Sequence, residues 1–332
     1  MEQREITFPV SLLDRDGRLP HSGYSREMKL RYRRKDVKTP LRLREWDSYL
    51  VFAGDIALRL TVSDCGTVLR DSVAFFDLRG GTAAEQDYTR PAMPGRERLP
   101  EQSCEGDVHA SASSHSIHFL HSAPGERTLI AQVKDFAGAG SLSARIRLFE
   151  EPEESLVTAL PFEKEGEWLY AQKTVGFRAE GYVRFDGKTW ELSGDECRAV
   201  LDWGRGVLPK NNAVTWCCGC GTDGDGAPVA FTLGEGGGAD DAATENMLFV
   251  NGAACKTGKL SFTPAEEQDG AWHISDGEGR LELDFTSAKE IVGKGRKSRR
   301  QCVGSYHGKV TLPDGRSIEL RDIPGFAERV QG

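Results

Sequence analysis

The sequence has almost no long helical periodicity and no long apolar run. Nowhere do about 18 apolar residues follow one another, the length that a transmembrane helix needs. The amino terminus, "MEQREITFPVSLLDRDGRLP", is charged from its second residue and lacks the apolar core and small-residue cleavage site of a signal peptide. We therefore expect no integral membrane segment and a cytoplasmic location.

Several catalytic signatures are also missing. The sequence has no G-x-S-x-G, no H-E-x-x-H and no Walker loop, so it lacks the marks of common hydrolases, metalloproteases and nucleotide-binding enzymes. An excess of positive charge is absent as well, because 43 Lys and Arg face 51 Asp and Glu, for a net charge of -8. We therefore expect no general attraction to nucleic acid or to anionic lipid.

The sequence does contain many short runs in which apolar and polar residues alternate. Examples are "IALRLTVSD", "RTLIAQVKDF" and "RLELDFTS", and turn sequences such as "FDGK" and "LPDGRS" separate such runs. The content of 38% hydrophobic and 28% charged residues is typical of a globular protein. The pattern predicts an all-β chain of antiparallel hairpins, folded as sandwiches or barrels.

The length of 332 residues is sufficient for two domains. The acidic, proline-containing segment "FEEPEESLVTALPF" predicts a boundary near Pro152, with one domain over 1–152 and the other over 153–332. Residues 78–107 lack strand alternation. They predict a long irregular surface loop in the first domain, and a short helix within this loop is compatible with the sequence.

Three cysteines lie close together in "TWCCGCG". On a strand, Cys217 points away from Cys218 and Cys220, so the three sulfurs do not converge on one metal ion. No second C-x-x-C pair lies near enough to complete a four-ligand site, and the spacing of the eight cysteines is too irregular for a secreted disulfide framework. We expect reduced, metal-free thiols at Cys65, Cys104, Cys197, Cys217, Cys218, Cys220, Cys255 and Cys302.

Histidines and basic residues form further clusters. On one strand His118 lies on the face opposite to His115 and His121, so these rings do not surround one ion without donors from another strand. The basic runs at 29–38 and 294–300 are typical of solvated surfaces, and anion binding is the alternative. The sequence thus predicts neither a metal nor a cofactor.

The segment "DWGRG" combines an acid, an arginine and a tryptophan. It looks too irregular for a hairpin turn, and we expect Arg205 to be held by an acid, with Asp202 as the nearest candidate, and Trp203 to cover apolar surface. This arrangement fits the floor of a pocket or a structural plug at the end of a barrel. The following "AVTWCCGCG" predicts a strand, and "TDGDG" predicts its hairpin turn.

A series of motifs runs through nearly the whole chain in a fixed order. They are "LLDRDGRLPHSGYSR", "REWDSYLV", "DWGRGVLP", "ENMLFVNG", "WHISDGEGRLELDFT" and "GSYHGKVTLPDGRSIELRDIPGFAE". By these motifs the chain resembles domain-of-unknown-function family 2804 (DUF2804), a lipocalin-like family distantly similar to carotenoid hydratases and tocopherol cyclases. The resemblance implies two lipocalin-like antiparallel β-barrels and brings no established reaction. Members usually carry aromatics at or near the positions of Leu208, Lys210 and Cys218, so this chain is a divergent member.

Three functions fit these observations. We expect a protein that binds a small apolar ligand, lipid or isoprenoid-like, in a barrel or at the barrel interface, because small barrels hold one such ligand with a few orienting polar groups. The alternatives are an enzyme acting on such a ligand (a hydratase, isomerase or cyclase) and a non-catalytic scaffold. An enzyme would need an acid, for which Asp202, Asp47 and Glu245 are available, and aromatics that stabilise a cation. The residues expected to contact the ligand are Asp202, Trp203, Arg205, Trp216, Trp46, Asp47, Glu245 and Asn246, and Trp190 is a further aromatic expected to face an interior.

Overall fold

The computed structural model describes residues 3–96, 99–238, 242–264, 271–293 and 298–331. Within these residues the regular structure consists of 24 β-strands and two short 3-10 helices, Arg34–Asp36 and Pro40–Arg42. The strands of both large sheets pair in antiparallel fashion. The prediction of an all-β chain with two barrel-like antiparallel units is therefore confirmed. No helix in the described part of the chain is long and apolar enough to cross a membrane.

Among the described residues, the first sheet has 13 strands, all of which precede Val214. Two short strands, β1 (Val10–Ser11) and β3 (Leu30–Arg31), form a separate parallel pair. The strands of the first sheet are β2 (Gly23–Ser25), β4 (Leu43–Ala53), β5 (Ile56–Asp64), β6 (Val68–Asp77), β7 (Ala83–Pro91), β8 (Val108–Ser111), β9 (His115–Ala123), β10 (Glu126–Val133), β11 (Leu142–Phe149), β12 (Leu156–Pro161), β13 (Trp168–Phe185), β14 (Lys188–Leu192) and β15 (Arg198–Val207). Their order is β7-β6-β5-β4-β15-β13-β11-β10-β9-β8, while β12 pairs with β13 and β2, and β14 pairs with β13.

The second sheet has nine strands in the part of the chain that the structure describes, and all of them follow Val207. They are β16 (Val214–Thr222), β17 (Pro228–Glu235), β18 (Met247–Val250), β19 (Ala253–Lys256), β20 (Ser261–Pro264), β21 (Trp272–Ser275), β22 (Leu281–Gly293), β23 (Arg299–Thr311) and β24 (Ser317–Val330). Their order is β19-β18-β17-β16-β24-β23-β22-β21-β20. The chain thus passes from one sheet to the other between Val207 and Val214, and the domain boundary near Pro152 stays a prediction.

Alternation along the strands produces three buried apolar layers, because successive side chains point to opposite faces. Tyr49 and Leu201 pack in a core that the first sheet forms with its own loops. Cys217 and Phe231 pack in a core of the second sheet alone. A third core lies between the sheets and includes Leu50, Phe52, Val200, Cys218 and Phe326.

The layer between the sheets changes polarity along its strands. Val200 is apolar, and Asp202 follows it on the same face of β15. In the same way Glu328 follows Phe326 on β24. The layer is therefore apolar at one end and charged at the other, and the charged end contains the candidate site.

The region 78–107 differs from the sequence prediction of an irregular loop. Residues Ala83–Pro91 form strand β7, which pairs with β6 from Phe76 to Val68. The prediction was wrong for this stretch because β7 is at the edge of the sheet and most of its side chains are half-buried or exposed, so it lacks an apolar face.

The window at 201–226 contains two strands joined by a connection. The segment "DWGRG" is regular strand within β15 rather than the irregular segment expected. Its glycines at 204 and 206 allow neighbouring groups to approach the strand closely. A Cβ atom at Gly204 would lie 2.0 Å from the Trp46 ring. The predicted strand "AVTWCCGCG" and its "TDGDG" turn are confirmed, and the Asp223 carbonyl accepts a hydrogen bond from the Gly226 amide at 3.1 Å across that turn.

Candidate functional site

A cavity of about 850 Å³ lies between the two sheets, at the charged end of the layer that separates them. Strands β4, β5, β6, β7, β13 and β15 of the first sheet contribute to its wall, and so do β16, β22, β23 and β24 of the second sheet. Small-molecule sites commonly have volumes of roughly 300–1,000 Å³. The cavity is therefore large enough for a small organic ligand.

A buried ion pair between Lys173 and Asp202 forms the floor of this cavity. The two residues lie directly opposite each other on β13 and β15, so their side chains project from the same face of the sheet. Lys173 Nζ donates to Asp202 Oδ1, and Trp46 Nε1 donates to the same oxygen at 3.0 Å. Trp46 lies opposite Gly204, whose missing side chain makes room for the indole ring.

Arg59 connects this floor to the second sheet. Its Nη2 donates to Asp202 Oδ2 at 3.5 Å, and its Nε donates to Ser48 Oγ at 3.1 Å. Its Nη1 donates to Glu328 Oε1 at 3.1 Å and to Gln301 Oε1 at 3.2 Å. Because Glu328 and Gln301 belong to the second sheet, these bonds cross the layer between the sheets.

A second arginine, Arg299, extends the network from Glu328 to Glu85. Arg299, on β23 of the second sheet, donates from Nε to Glu328 Oε1 at 2.5 Å and from Nη1 to Glu85 Oε1 at 2.7 Å. Ser72 Oγ also donates to Glu85 Oε1, at 2.9 Å. The result is a chain of alternating charges along the cavity, formed by Lys173, Asp202, Arg59, Glu328, Arg299 and Glu85.

The neighbouring charges decide the ionisation of this network. Burial by itself lowers the pKa of Lys173, but Asp202 and Glu245 outweigh burial and hold the pKa above its ordinary value. Burial raises the pKa of Glu328, yet Arg299 and Arg59 reverse this effect and lower the pKa to about 2. Both groups are therefore charged at neutral pH, as an ammonium and a carboxylate.

Two tryptophans form aromatic walls next to the floor. Trp216, on β16, donates from Nε1 to Thr232 Oγ1 at 2.9 Å, which fixes the plane of its ring. Lys173 Nζ lies 4.7 Å from the centroid of this ring, and Arg59 Cζ lies 5.8 Å from it. Cations at these distances are attracted by an aromatic face. Trp46, which donates to Asp202, also lines the cavity and is half-buried.

The cavity has an exposed side, which we call the mouth and which includes Arg44, Arg70, Asp87 and Val292. Arg70 and Asp87 form a surface ion pair at 2.6 Å. Val292 is 52% exposed although it is apolar. A ligand has access to the buried floor from this side.

Arg205 lies on the opposite face of β15 from Asp202, inside the core of the first sheet. It donates from Nη2 to Asp47 Oδ1 at 2.8 Å and lies 3.4 Å from Glu45, and its guanidinium stacks 4.1 Å from the Trp203 ring centroid. The predicted pairing of Arg205 with Asp202 is therefore wrong, because residues three positions apart on a strand point in opposite directions. Burial raises the pKa of Asp47, and Arg205 offsets part of this increase.

The structure separates the residues that the sequence selected as ligand contacts. Asp202, Trp46, Trp216 and Glu245 line the cavity. Trp203, Arg205 and Asp47 are buried on the other face of the first sheet.

Two further selected residues have structural contacts instead. Asn246 accepts a hydrogen bond from the Gly234 amide at 2.7 Å and donates to the Gly258 carbonyl at 2.8 Å. Trp190 packs at the margin of the first core, with its ring 5.2 Å from that of Phe75.

The sequence reasoning missed Lys173 and the arginines and glutamates of the network. The partners are distant in sequence, since Arg59 and Glu328 lie 269 positions apart. Alternation within "IALRLTVSD" places Arg59 on the same face as Ala57 and Thr61. A charged residue in the middle of this strand was the one sign in the sequence that Arg59 belongs to a polar site.

The histidine and basic clusters have contacts of their own. His115 Nε2 lies 2.9 Å from Asp71 Oδ2, and both side chains are buried. Within the run at 29–38, Arg34 donates from Nε to Glu45 Oε2 at 2.8 Å. Residues 294–297 of the second basic run lie outside the described residues. No group of three or more His, Cys, Asp or Glu side chains among the described residues is placed to hold a metal ion.

The sequence matches the family model described as "Domain of unknown function (DUF2804)" over residues 3–332. No curated protein matches the chain. One similar solved structure is that of a "putative AttH" from Nitrosomonas europaea, with 13% identity and a TM-score of 0.54, covering 88% of this chain and 93% of that one. Another is CghA with Sch210972, with 11% identity and a TM-score of 0.52, covering 88% and 89%. At these identities the likeness shows a shared fold.

Proposed function

The chain belongs to the DUF2804 family, and from this premise we propose that it binds a small organic molecule in the cavity between its two sheets. The observation that carries the proposal is the combination of a large cavity with a buried, hydrogen-bonding Lys173–Asp202 floor and two tryptophan walls. Pockets that bind small molecules typically combine apolar walls with a few polar groups that fix orientation.

The ligand has an apolar body and one polar end. Apolar side chains line the cavity between floor and mouth, and they include Leu169, Val214, Ile291 and Val330. These side chains favour the lipid or isoprenoid-like body expected from the sequence, whereas the charged floor requires a polar group to replace water there. A protein of the same fold, CghA, has a structure with Sch210972, which supports binding of a small molecule by this architecture.

Native mass spectrometry of protein purified from its host tests this function. We expect the wild-type protein to retain a small organic molecule. Thr61→Trp fills the cavity from β5, and this variant should lose the molecule. Thr67→Trp is the matched control, because Thr67 is exposed and does not line the cavity. Equal retention by the two variants, or no retained molecule in the wild-type protein, would contradict binding in this cavity.

An enzyme acting on the same ligand is the second candidate. It is favoured by the position of the Lys173–Asp202 pair, which is buried and yet lines the cavity, since proton transfer requires such groups within hydrogen-bonding reach of the substrate. Asp47, by contrast, lies on the other side of the sheet. Incubation of the released molecule with ligand-free protein separates the two candidates. Hydration would add the mass of one water, and isomerisation or cyclisation would change the retention time at constant mass, whereas a binding protein returns the molecule unchanged.

Other expectations from the sequence stay predictions. They are the cytoplasmic location, the absence of a nucleic-acid partner and the absence of a cofactor.

A further inference from the structure

We propose that the ligand carries a neutral hydroxyl group and donates its hydrogen to Asp202 Oδ2. This inference rests on the proposed function and specifies the class of molecule that binds. It follows from the unequal use of the two carboxylate oxygens of Asp202 and from the charge balance around them.

The two oxygens of Asp202 have different partners. Oδ1 accepts hydrogen bonds from Lys173 Nζ and from Trp46 Nε1, the latter at 3.0 Å. Within the described residues, the one hydrogen bond that Oδ2 accepts is a long one, at 3.5 Å from Arg59 Nη2. Ordinary N–H···O bonds are about 2.7–3.2 Å long, and an ionised carboxylate offers about four acceptor sites. Oδ2 therefore has acceptor capacity left at the floor of the cavity.

Charge balance favours a neutral ligand group. The two cations next to Asp202 are already engaged, since Lys173 binds Asp202 and Arg59 is shared between Asp202 and Glu328. An anionic group on the ligand would compete with Asp202 and Glu328 for these cations. A cationic group would lie beside Lys173, and the other carboxylate that lines the cavity near it, Glu245, already acts on Lys173. Either change leaves a buried charge without full compensation, which is costly.

A hydroxyl group avoids both costs, because it donates to Oδ2 without changing the charge of the floor. Hydrogen bonds to ionised acceptors contribute more than neutral ones, so the donor should be essential for tight binding. The Trp46 indole and Lys173 hold the carboxylate from the Oδ1 side, which leaves Oδ2 as the oxygen that meets the ligand. The apolar body then extends from the floor toward Ile291 and Val292 at the mouth.

A matched set of four probes tests the inference on the wild-type protein by isothermal titration calorimetry. The probes are decanol, methyl decyl ether, decanoate and decylamine, which share one chain and differ in the polar end. We expect decanol to bind about tenfold to a hundredfold more tightly than the ether, since a hydrogen bond to a charged group contributes roughly 1.5–3 kcal/mol. Decanoate and decylamine should also bind more weakly than decanol.

A variant with a neutral floor provides an independent measurement. Asp202→Asn together with Lys173→Met removes both members of the pair and keeps the charge balance. Decanol should lose its advantage over the ether in this double variant, because the asparagine amide no longer presents an ionised acceptor. Preserved thermal melting shows that the double variant folds, and if it does not fold, the four probes on the wild-type protein decide.

Three results would overturn the inference. They are equal binding of ether and decanol, tighter binding of decanoate or decylamine, and binding of none of the four probes. These results leave the proposed function standing when native mass spectrometry still finds a molecule that Thr61→Trp displaces. If that molecule is absent as well, the proposed function fails too.

Discussion

Asp202 and Arg205 lie three positions apart on strand β15 and point to opposite faces of the first sheet. Asp202 faces the cavity and pairs with Lys173, whereas Arg205 is fully buried on the other side and pairs with Asp47. One short segment therefore supplies both a cavity floor and a structural ion pair. The two roles can be tested separately, because they involve different partners.

Arg205→Met should destabilise the protein without affecting ligand binding. The substitution leaves Asp47 without its arginine inside the first core, and breaking a buried pair in this way costs about 3–5 kcal/mol. Urea unfolding measures the loss. Adding Asp47→Leu should recover part of it, because the unpaired carboxylate is then removed. Arg316→Met breaks the exposed Arg316–Asp314 pair and should leave stability nearly unchanged, because water screens exposed charges. A stable Arg205→Met protein that no longer binds ligand would show that Arg205 is part of the site instead.

Acid should weaken the connection between the sheets through Glu328. The pKa of Glu328 is lowered from 4.5 to about 2, so its pairing stabilises the folded state above pH 4.5 and is lost as the pH falls toward 2. This shift corresponds to about 3 kcal/mol in the free energy of unfolding. The difference in the free energy of unfolding between wild type and Glu328→Gln should therefore shrink as the pH falls from about 6, where the carboxylate is charged in both states, toward about 2. A difference that stays constant over this range would contradict the assigned ion pairs.

The pKa of Lys173 predicts the opposite behaviour in alkali. Because its folded-state pKa is raised above 10.5, the contribution of Lys173 is fully present below pH 10.5 and is lost as the pH rises through the folded value. Lys173→Met should remove this alkaline dependence, which urea unfolding at increasing pH measures. An unchanged profile in the variant would mean that the Lys173–Asp202 pair does not stabilise the fold.

Gly204→Ala should distort the cavity through Trp46. The new methyl group would lie 2.0 Å from the Trp46 ring, so the indole must move and its hydrogen bond to Asp202 is lost. Overpacking of this kind costs about 1–3 kcal/mol. We expect lower thermal stability and weaker ligand binding. Gly258→Ala is the control, because a methyl group there meets no atom within 4 Å. Equal behaviour of the two variants would show that Trp46 does not depend on the space at Gly204.

The cysteines should divide by accessibility in a labelling experiment. Cys104 is exposed, whereas Cys217, Cys218 and Cys220 are buried. Burial raises the pKa of Cys217 and of Cys220 to about 12, so these thiols are protonated and unreactive at neutral pH. Maleimide followed by peptide mass spectrometry should find Cys104 modified in the native protein and all eight cysteines modified after denaturation. Rapid native labelling of Cys217 would contradict the packing of β16.

Alternation along the chain was sufficient to predict most of the fold. It placed Cys217 and Cys218 on opposite faces of one strand, and the two residues do pack in different cores. It failed for β7, whose edge position removes the apolar face that alternation requires. It was not applied to "DWGRG", which the sequence analysis treated as an irregular segment. Treating that segment as a strand would have separated Asp202 from Arg205.

The candidate site was only partly predictable. Trp46, Trp216 and Asp202 were selected from their residue types, and they do line one cavity. Their partners Lys173 and Glu328 were missed, because register and sheet order bring them together. A single sequence without contact information specifies neither register nor sheet order between distant strands.

A crystal structure of the protein with decanol tests the central claim most directly. We predict a ligand between Trp46 and Trp216 in the cavity between the sheets, with its hydroxyl oxygen about 2.7 Å from Asp202 Oδ2. The chain of decanol should extend toward Val292 at the mouth. A cavity without ligand at saturating decanol, or a hydroxyl group placed away from Asp202, would contradict the account.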